Sequence, residues 1–195
     1  MLNFKTLKTA SLVLLLFPFL LACSSDDLSD LLSRVETLNI SRQGYTLGKK
    51  LTKAQQETAR KHPVKAADHR TRKFKDGKLH VVTDRVSDRV IVLYEQYEAA
   101  SMEMVQGLVG SLSFEFGDPT VLAHDKIIYW IFGPQGKLSR DQYKKARQAG
   151  GKLKILATVK LNSSTKILGD TPPSKESTVY YIISSEPALK LIKNR

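Results

Sequence analysis

From position 28 onward the apolar residues follow two rhythms, one of three and four residues and one of two, and their order predicts the fold. Leu28, Leu31, Leu32, Val35 and Leu38 recur at helical spacing behind Ser24-Ser25-Asp26-Asp27, an acidic lead suited to capping a helix. Such a stripe requires a surface: its own domain, a partner or a bilayer. Gly44 and Gly48 punctuate the exit, and residues 51–61 predict a second, very basic helix stopped by Pro63. Residues 74–77 open a hairpin region. Its strands run over 79–83 and 90–97, the second rich in β-branched and aromatic residues, across a polar turn at 84–88. Met102, Val105, Leu108, Val109, Leu112 and Phe116 then mark a third helix that ends at Gly117, with Pro119 just beyond.

The second half continues in the same alternation. Residues 126–132 are apolar on both parities, so a sheet containing them is covered, or sticky, on both faces. One parity carries Ile127, Tyr129 and Ile131, the other Ile128, Trp130 and Phe132; one set meets the helices, and the pattern leaves open which. Gly133-Pro134 closes the strand. A short helix fits 139–149, with Ser139 as N-cap and Gly150 as C-cap, basic on its exposed side. Leu153, Ile155, Ala157, Val159 and Leu161 predict a strand with one wet face, Thr171-Pro172-Pro173-Ser174 a loop, and residues 179–184 a last strand, with Pro187 starting a brief C-terminal turn. Helix then strands, twice over, argues for α+β with an antiparallel sheet.

The first 22 residues do not belong to that pattern. Lys5 and Lys8 precede an uncharged stretch over 10–21, the charged and apolar regions of a secretory signal. A spanning helix needs about 20 apolar residues, so this one targets rather than anchors. It ends in Leu20-Leu21-Ala22-Cys23, which resembles the bacterial lipobox, and that resemblance implies cleavage before Cys23 and acylation of its thiol. At about 0.8 kcal/mol per buried methylene, two or three acyl chains hold a protein in a membrane effectively for good. Ser24 stands where sorted lipoproteins that stay in the inner membrane carry Asp, so the resemblance favours the periplasmic face of a Gram-negative outer membrane. The expected organisation is a signal over 1–22, a lipidated tether with a short amphipathic helix over 23–43, and an α+β domain over 44–195 in units of about 44–97 and 98–195.

Charge refines the picture. Cys23 is the only cysteine, so once it is acylated no thiol remains for a disulfide, a metal or catalysis. Without the signal's two lysines the chain carries a formal +10. The excess is concentrated between positions 49 and 78, where eleven basic residues face Glu57, Asp68 and Asp76. Lys49, Lys50, Lys53, Arg72, Lys73 and Lys75 are the candidate contacts for an anionic partner, whether an acidic protein face, a lipid head group or a glycolipid. A solvated face with no ligand is the alternative. Nucleic acid is disfavoured by the address.

The two halves repeat with a period of about 50–55 residues. In the second, a helix ending in Phe116-Gly117-Asp118-Pro119, a polar loop through His124-Asp125 and the strand residues Tyr129-Trp130 resemble the helix, Gly-x-Pro, aromatic-strand segment of small outer-membrane assembly lipoproteins of the BamE/SmpA type. The tandem layout is similar to the β-lactamase inhibitor protein fold. The first half departs from it, with Lys61-His62-Pro63 where a Gly-x-Pro is expected.

Chemistry-bearing motifs are few. No nucleophile elbow, phosphate loop, dinucleotide fingerprint or His-Glu-x-x-His pair occurs. His62, His69, His80 and His124 are scattered, two of them inside the basic stretch, which argues against a metal, and no cofactor is expected. His124-Asp125 near Tyr129 is an acid/base candidate set against ordinary turn polarity. Tyr129 and Trp130 are candidate protein-partner contacts, since Tyr and Trp are favoured interface anchors, set against a core role for the aromatic strand residues. The reading is therefore a non-enzymatic binding or scaffold module of the envelope, held by the membrane through Cys23. A lipid-tethered cell-wall or lipid hydrolase or transferase, and a basic clamp for an anionic glycolipid or polymer, are the alternatives.

Overall fold

The helical stripe at 28–38 finds its surface on its own body. In a computed structural model that describes residues 25–151, 153–167 and 177–195, Leu28, Leu32 and Val35 are buried, the first two against Ile91, Ala188 and Ile192. The signal, Cys23, Ser24 and the Thr171-Pro172-Pro173-Ser174 loop lie outside the described residues. In chain order the elements are α1 (Ser25–Glu36), β1 (Ser41–Arg42), β2 (Tyr45–Thr46), α2 (Lys53–Lys61), β3 (Pro63–Val64), β4 (Thr71–Asp76), β5 (Leu79–Asp84) and β6 (Val90–Ala100). There follow α3 (Met102–Phe116), β7 (Val121–Ala123), β8 (Ile127–Gly133), β9 (Gly136–Lys137), α4 (Arg140–Gln148), β10 (Ala157–Ser163), β11 (Ser177–Ser184) and α5 (Glu186–Lys193). The fold is α+β.

β1 and β2 form a small hairpin of their own, and the other strands make one antiparallel sheet in the order β3-β4-β5-β6-β11-β10-β8-β7, with β9 added on β8. β6 pairs with β5 on one side and with β11 on the other, so the last strand of the chain joins the two strand groups edge to edge. Register then aligns Phe74, Val81, Leu93, Ile183, Val159 and Trp130 in one row across six strands. All six are buried. At about 1.5–3 kcal/mol for each large apolar side chain taken from water, that row is a main source of the sheet's stability.

α3 covers this row. Val105 and Leu112 are buried, Leu108, Val109 and Phe116 pack beside them, and the Phe116 ring meets Trp130 at 6.3 Å and Phe132 at 5.9 Å. Gly117 ends the helix at φ 69°, ψ −162°, a region open essentially to glycine alone. The turn aims its carbonyl at Trp130, whose indole N–H donates to it at 2.7 Å. The helix, Gly-x-Pro, Trp-strand order of the sequence is thus a packing device: the glycine carbonyl satisfies the one polar atom of a buried tryptophan.

Element boundaries moved for local reasons. α2 starts at Lys53 rather than 51 because Thr52 and Gln55 cap it reciprocally, at 3.3 and 2.9 Å. The strand expected from 153 begins at Ala157, because a local bond from Ile155 N–H to the Leu153 carbonyl turns the chain before it enters the sheet. α4 is capped by Ser139 and Gln142 and buries none of its residues. Gly48 is a close approach: at φ 81°, a Cβ there would lie 2.5 Å from the Leu32 carbonyl oxygen and 2.6 Å from the Glu36 nitrogen.

Trp130→Phe keeps the ring but leaves the Gly117 carbonyl without its donor, and should cost about 1–3 kcal/mol. Gly48→Ala should also destabilise, because α1 must shift bodily to admit a methyl. Chemical denaturation of both variants checks this; unchanged midpoints would show that neither contact matters to stability.

Candidate binding face

The other parity of the same strands builds a second, different face. The next register row runs Lys75, His80, Tyr94, Ile182, Lys160 and Tyr129, and apart from exposed Lys75 these side chains are half-buried. The His80 ring stacks on Tyr94 at 4.5 Å and 5° between planes, with Lys73 Nζ 5.2 Å from the Tyr94 ring centre. Lys160 Nζ lies 5.8 Å over Tyr129. The face therefore alternates cations with aromatic rings, an arrangement that suits anionic groups carried on apolar bodies. Burial, then the charges of Lys73 and Lys75, push the His80 imidazole below its ordinary value of 6.5, so it is neutral at neutral pH.

At one end of this face lies a cleft of about 480 Å³. Val82, Val92 and Tyr94 form its floor, Leu189 and Ile192 of α5 one wall, and residues 65–68 a lip. Wall and lip are both tied down. Ser185 caps α5 by accepting from the Ala188 N–H, and its hydroxyl donates to the Leu156 carbonyl at 2.8 Å. The lip is organised by Asp68, which accepts from the Arg70 backbone N–H, Nε and Nη2 at 2.9, 2.8 and 2.7 Å. Those bonds hold its carboxyl well below the usual carboxylate range. Arg70 Nη1 then donates to the Lys193 carbonyl at 2.8 Å, fastening lip to helix.

The pleat of β4 divides the basic stretch. Lys73 and Lys75 stand on the open face, whereas Arg72 points to the opposite side and pairs with Asp88 at 2.8 Å. Lys49 and Lys50 are exposed beside a shallow depression lined by Gly44, Thr46 and Gln55, and Lys53 opens α2. The six candidate cations are therefore not one patch, because sequence adjacency in a strand means opposite faces. The cleft instead gathers Lys65, Lys73 and Lys193, the last of which no charge run contained.

Tyr129 and Trp130 separate for the same reason. Tyr129 is half-buried on the open face. Trp130 is 0% exposed and cannot reach a partner, which corrects its assignment as a contact. His124 and Asp125 occupy a tight turn, both at φ 53° and both exposed, and among the described residues no hydrogen bond connects them with Tyr129. Turn geometry accounts for them. Among the described residues no three His, Cys, Asp or Glu side chains stand close enough to hold a metal ion, and no helix is long and apolar enough to cross a membrane.

No protein family, curated protein or solved structure matches the chain. Its site must be read from its own geometry.

A further ionic group, unseen in the sequence, sits under the helix-covered face. Glu95 is 1% exposed opposite Tyr181, and Arg42 of the β1–β2 hairpin meets it through Nε at 3.1 Å and Nη2 at 2.7 Å. Gln43 Nε2 donates to it at 2.5 Å and the Tyr97 hydroxyl donates to its other oxygen. Burial raises the Glu95 pKa, but the bonds from Arg42 and Tyr97 outweigh it and hold the carboxylate below its ordinary range. Tyr97 is pushed up to about 12, by burial first and by its bond to Glu95 second. Arg42 also lies 4.8 Å over the Tyr181 ring. Spacing gave no sign of this pair because its members are 53 positions apart.

Glu95→Gln should cost up to about 3 kcal/mol, the lower end for breaking a buried pair, because Arg42 keeps some contact with water. Urea unfolding reads this, and an unaltered midpoint would show that the pair contributes nothing net. His80 sets a pH dependence. Its pKa is lower folded than unfolded, so the unfolded chain takes up the proton first. Its contribution is whole above about 6.5 and is lost as pH falls through the folded value. His80→Gln should therefore lose less thermal stability than wild type between pH 7 and 5; equal losses would assign the pH response to other groups.

Proposed function

We propose that this protein is a lipid-anchored module of the bacterial envelope, held on the periplasmic side of the outer membrane by acyl chains on Cys23, that binds a partner rather than transforming a substrate. The observation that carries the reading is the open sheet face, where Lys73, His80 and Tyr94 stack at one end and Lys160 lies over Tyr129 towards the other. A face of cations seated on aromatic rings offers affinity without a reacting centre. Asp68 beside it is already engaged by Arg70, and the His80 ring lies flat on Tyr94. Supporting the address are the charged and apolar signal, the lipobox ending in Cys23, and Ser24 after it. The resemblance of residues 116–130 to assembly lipoproteins of the BamE/SmpA type supports a place in envelope assembly or maintenance.

Two measurements test it. Growth with a clickable fatty acid should label the wild-type chain and leave Cys23→Ser unlabelled and mislocalised on membrane fractionation; equal labelling would overturn the anchor. In intact envelopes, a photocrosslinker at Tyr129 should capture a discrete partner band that Lys160→Glu reduces several-fold. The same band from a crosslinker placed at exposed Phe114 on α3 would show that the face has no special role.

A further inference from the structure

The cleft beside α5 has a feature the rest of the face lacks: an apolar interior under a cationic rim. Val82 and Val92 from the sheet and Leu189 and Ile192 from α5 leave an apolar trough, and its volume of about 480 Å³ falls within the range of small-molecule sites. An apolar trough open to water costs free energy unless something covers it. Lys65, Lys73 and Lys193 stand around it, and among the described residues none has a carboxylate within ion-pairing distance. The only acid on the lip, Asp68, is neutralised by Arg70. Three uncompensated ammonium groups over one apolar trough complement a ligand with a chain below and several anionic oxygens above.

We infer that this cleft binds a monoacyl lipid with a phosphate head group, the chain lying on Val82, Val92 and Ile192 and the phosphate meeting Lys65, Lys73 and Lys193. A phosphate suits the site better than a carboxylate because it carries up to two charges and three acceptor oxygens, enough for three lysines. Lys73 is partly ordered in advance by its seat over Tyr94, which reduces the side-chain entropy lost on binding. The Arg70 bond to the Lys193 carbonyl fastens lip to α5 and so fixes the width of the trough. The inference deepens the binding-module reading and rests on it for its membrane setting.

The test uses the full chain in phosphatidylcholine nanodiscs and a lysophosphatidic acid whose acyl chain carries a photoactivatable diazirine. Adducts should map to β5, β6 and α5. Unlabelled oleoyl lysophosphatidic acid should compete at least tenfold better than monoolein, which has the chain without phosphate, and than glycerol phosphate, which has the phosphate without chain. Reversing the rim with Lys65→Glu, Lys73→Glu and Lys193→Glu should lower labelling at least tenfold at 50 mM salt, where the Debye length exceeds about 10 Å. Val92→Trp, which fills the trough, should do the same, with thermal melts confirming that each variant folds. The single change Lys73→Gln, several-fold weaker, carries the test if the triple variant does not fold. Equal competition by monoolein or oleate, adducts spread over exposed Phe114, or wild-type labelling of the rim variants would overturn the site. The same labelling is read on Cys23→Ser: if it persists there while fatty-acid incorporation at Cys23 fails in wild type, the anchor reading falls and the cleft stands.

Discussion

The pairing of β6 with β11 is the interaction on which both faces of this molecule depend. It joins two strand groups from opposite halves of the chain into one sheet, and it does so in the register that aligns Leu93 with Ile183. A slip of one residue would pair Leu93 with Ile182 or Ser184 instead, so that with Leu93 still buried Ile183 would turn outward, and the rest of the β11 side chains would exchange faces with it. The buried row from Phe74 to Trp130 and the exposed row from Lys75 to Tyr129 are therefore two consequences of one choice. Core and open face are specified together.

Buried Glu95 sharpens that choice. On the helix-covered side, one strand position along from open-face Tyr94, a carboxylate is tolerable only where Arg42 and Gln43 can reach it. The β1–β2 hairpin is thus held against a single place on β6. A buried pair of this kind adds little net stability compared with apolar residues, yet a register in which Glu95 met no cation would be heavily penalised. Together with the apolar row, it narrows the sheet to one alignment.

Much of this was legible from residue spacing. The α3 stripe, its termination at Gly117 and the antiparallel α+β order follow from periodicity and turn chemistry, which are local. The short strands β1, β2, β3, β7 and β9 carry two or three residues each, too few for any alternation to register. The make-up of the open face was less accessible. Six cations close in sequence were expected to act together, but β4 sends Arg72 and Lys73 to opposite sides, and Lys193 arrives from the far end of the chain. Tyr129 and Trp130 posed the same problem: two adjacent aromatics in a strand cannot share a face, and deciding which one is buried required knowing where α3 lies.

α1 and α5 bring the two ends of the described chain together, through Leu28 and Leu32 on one side and Ala188 and Ile192 on the other. That cluster is distinct from the main core, and Leu31 packs against both. The wall and the floor of the cleft both rest on that cluster, Leu189 from α5 and Val82 and Val92 from the sheet. The cleft is thus a seam where the two ends of the described chain meet the sheet, so an occupant of it would brace α5, and through α5 also α1, against β5 and β6.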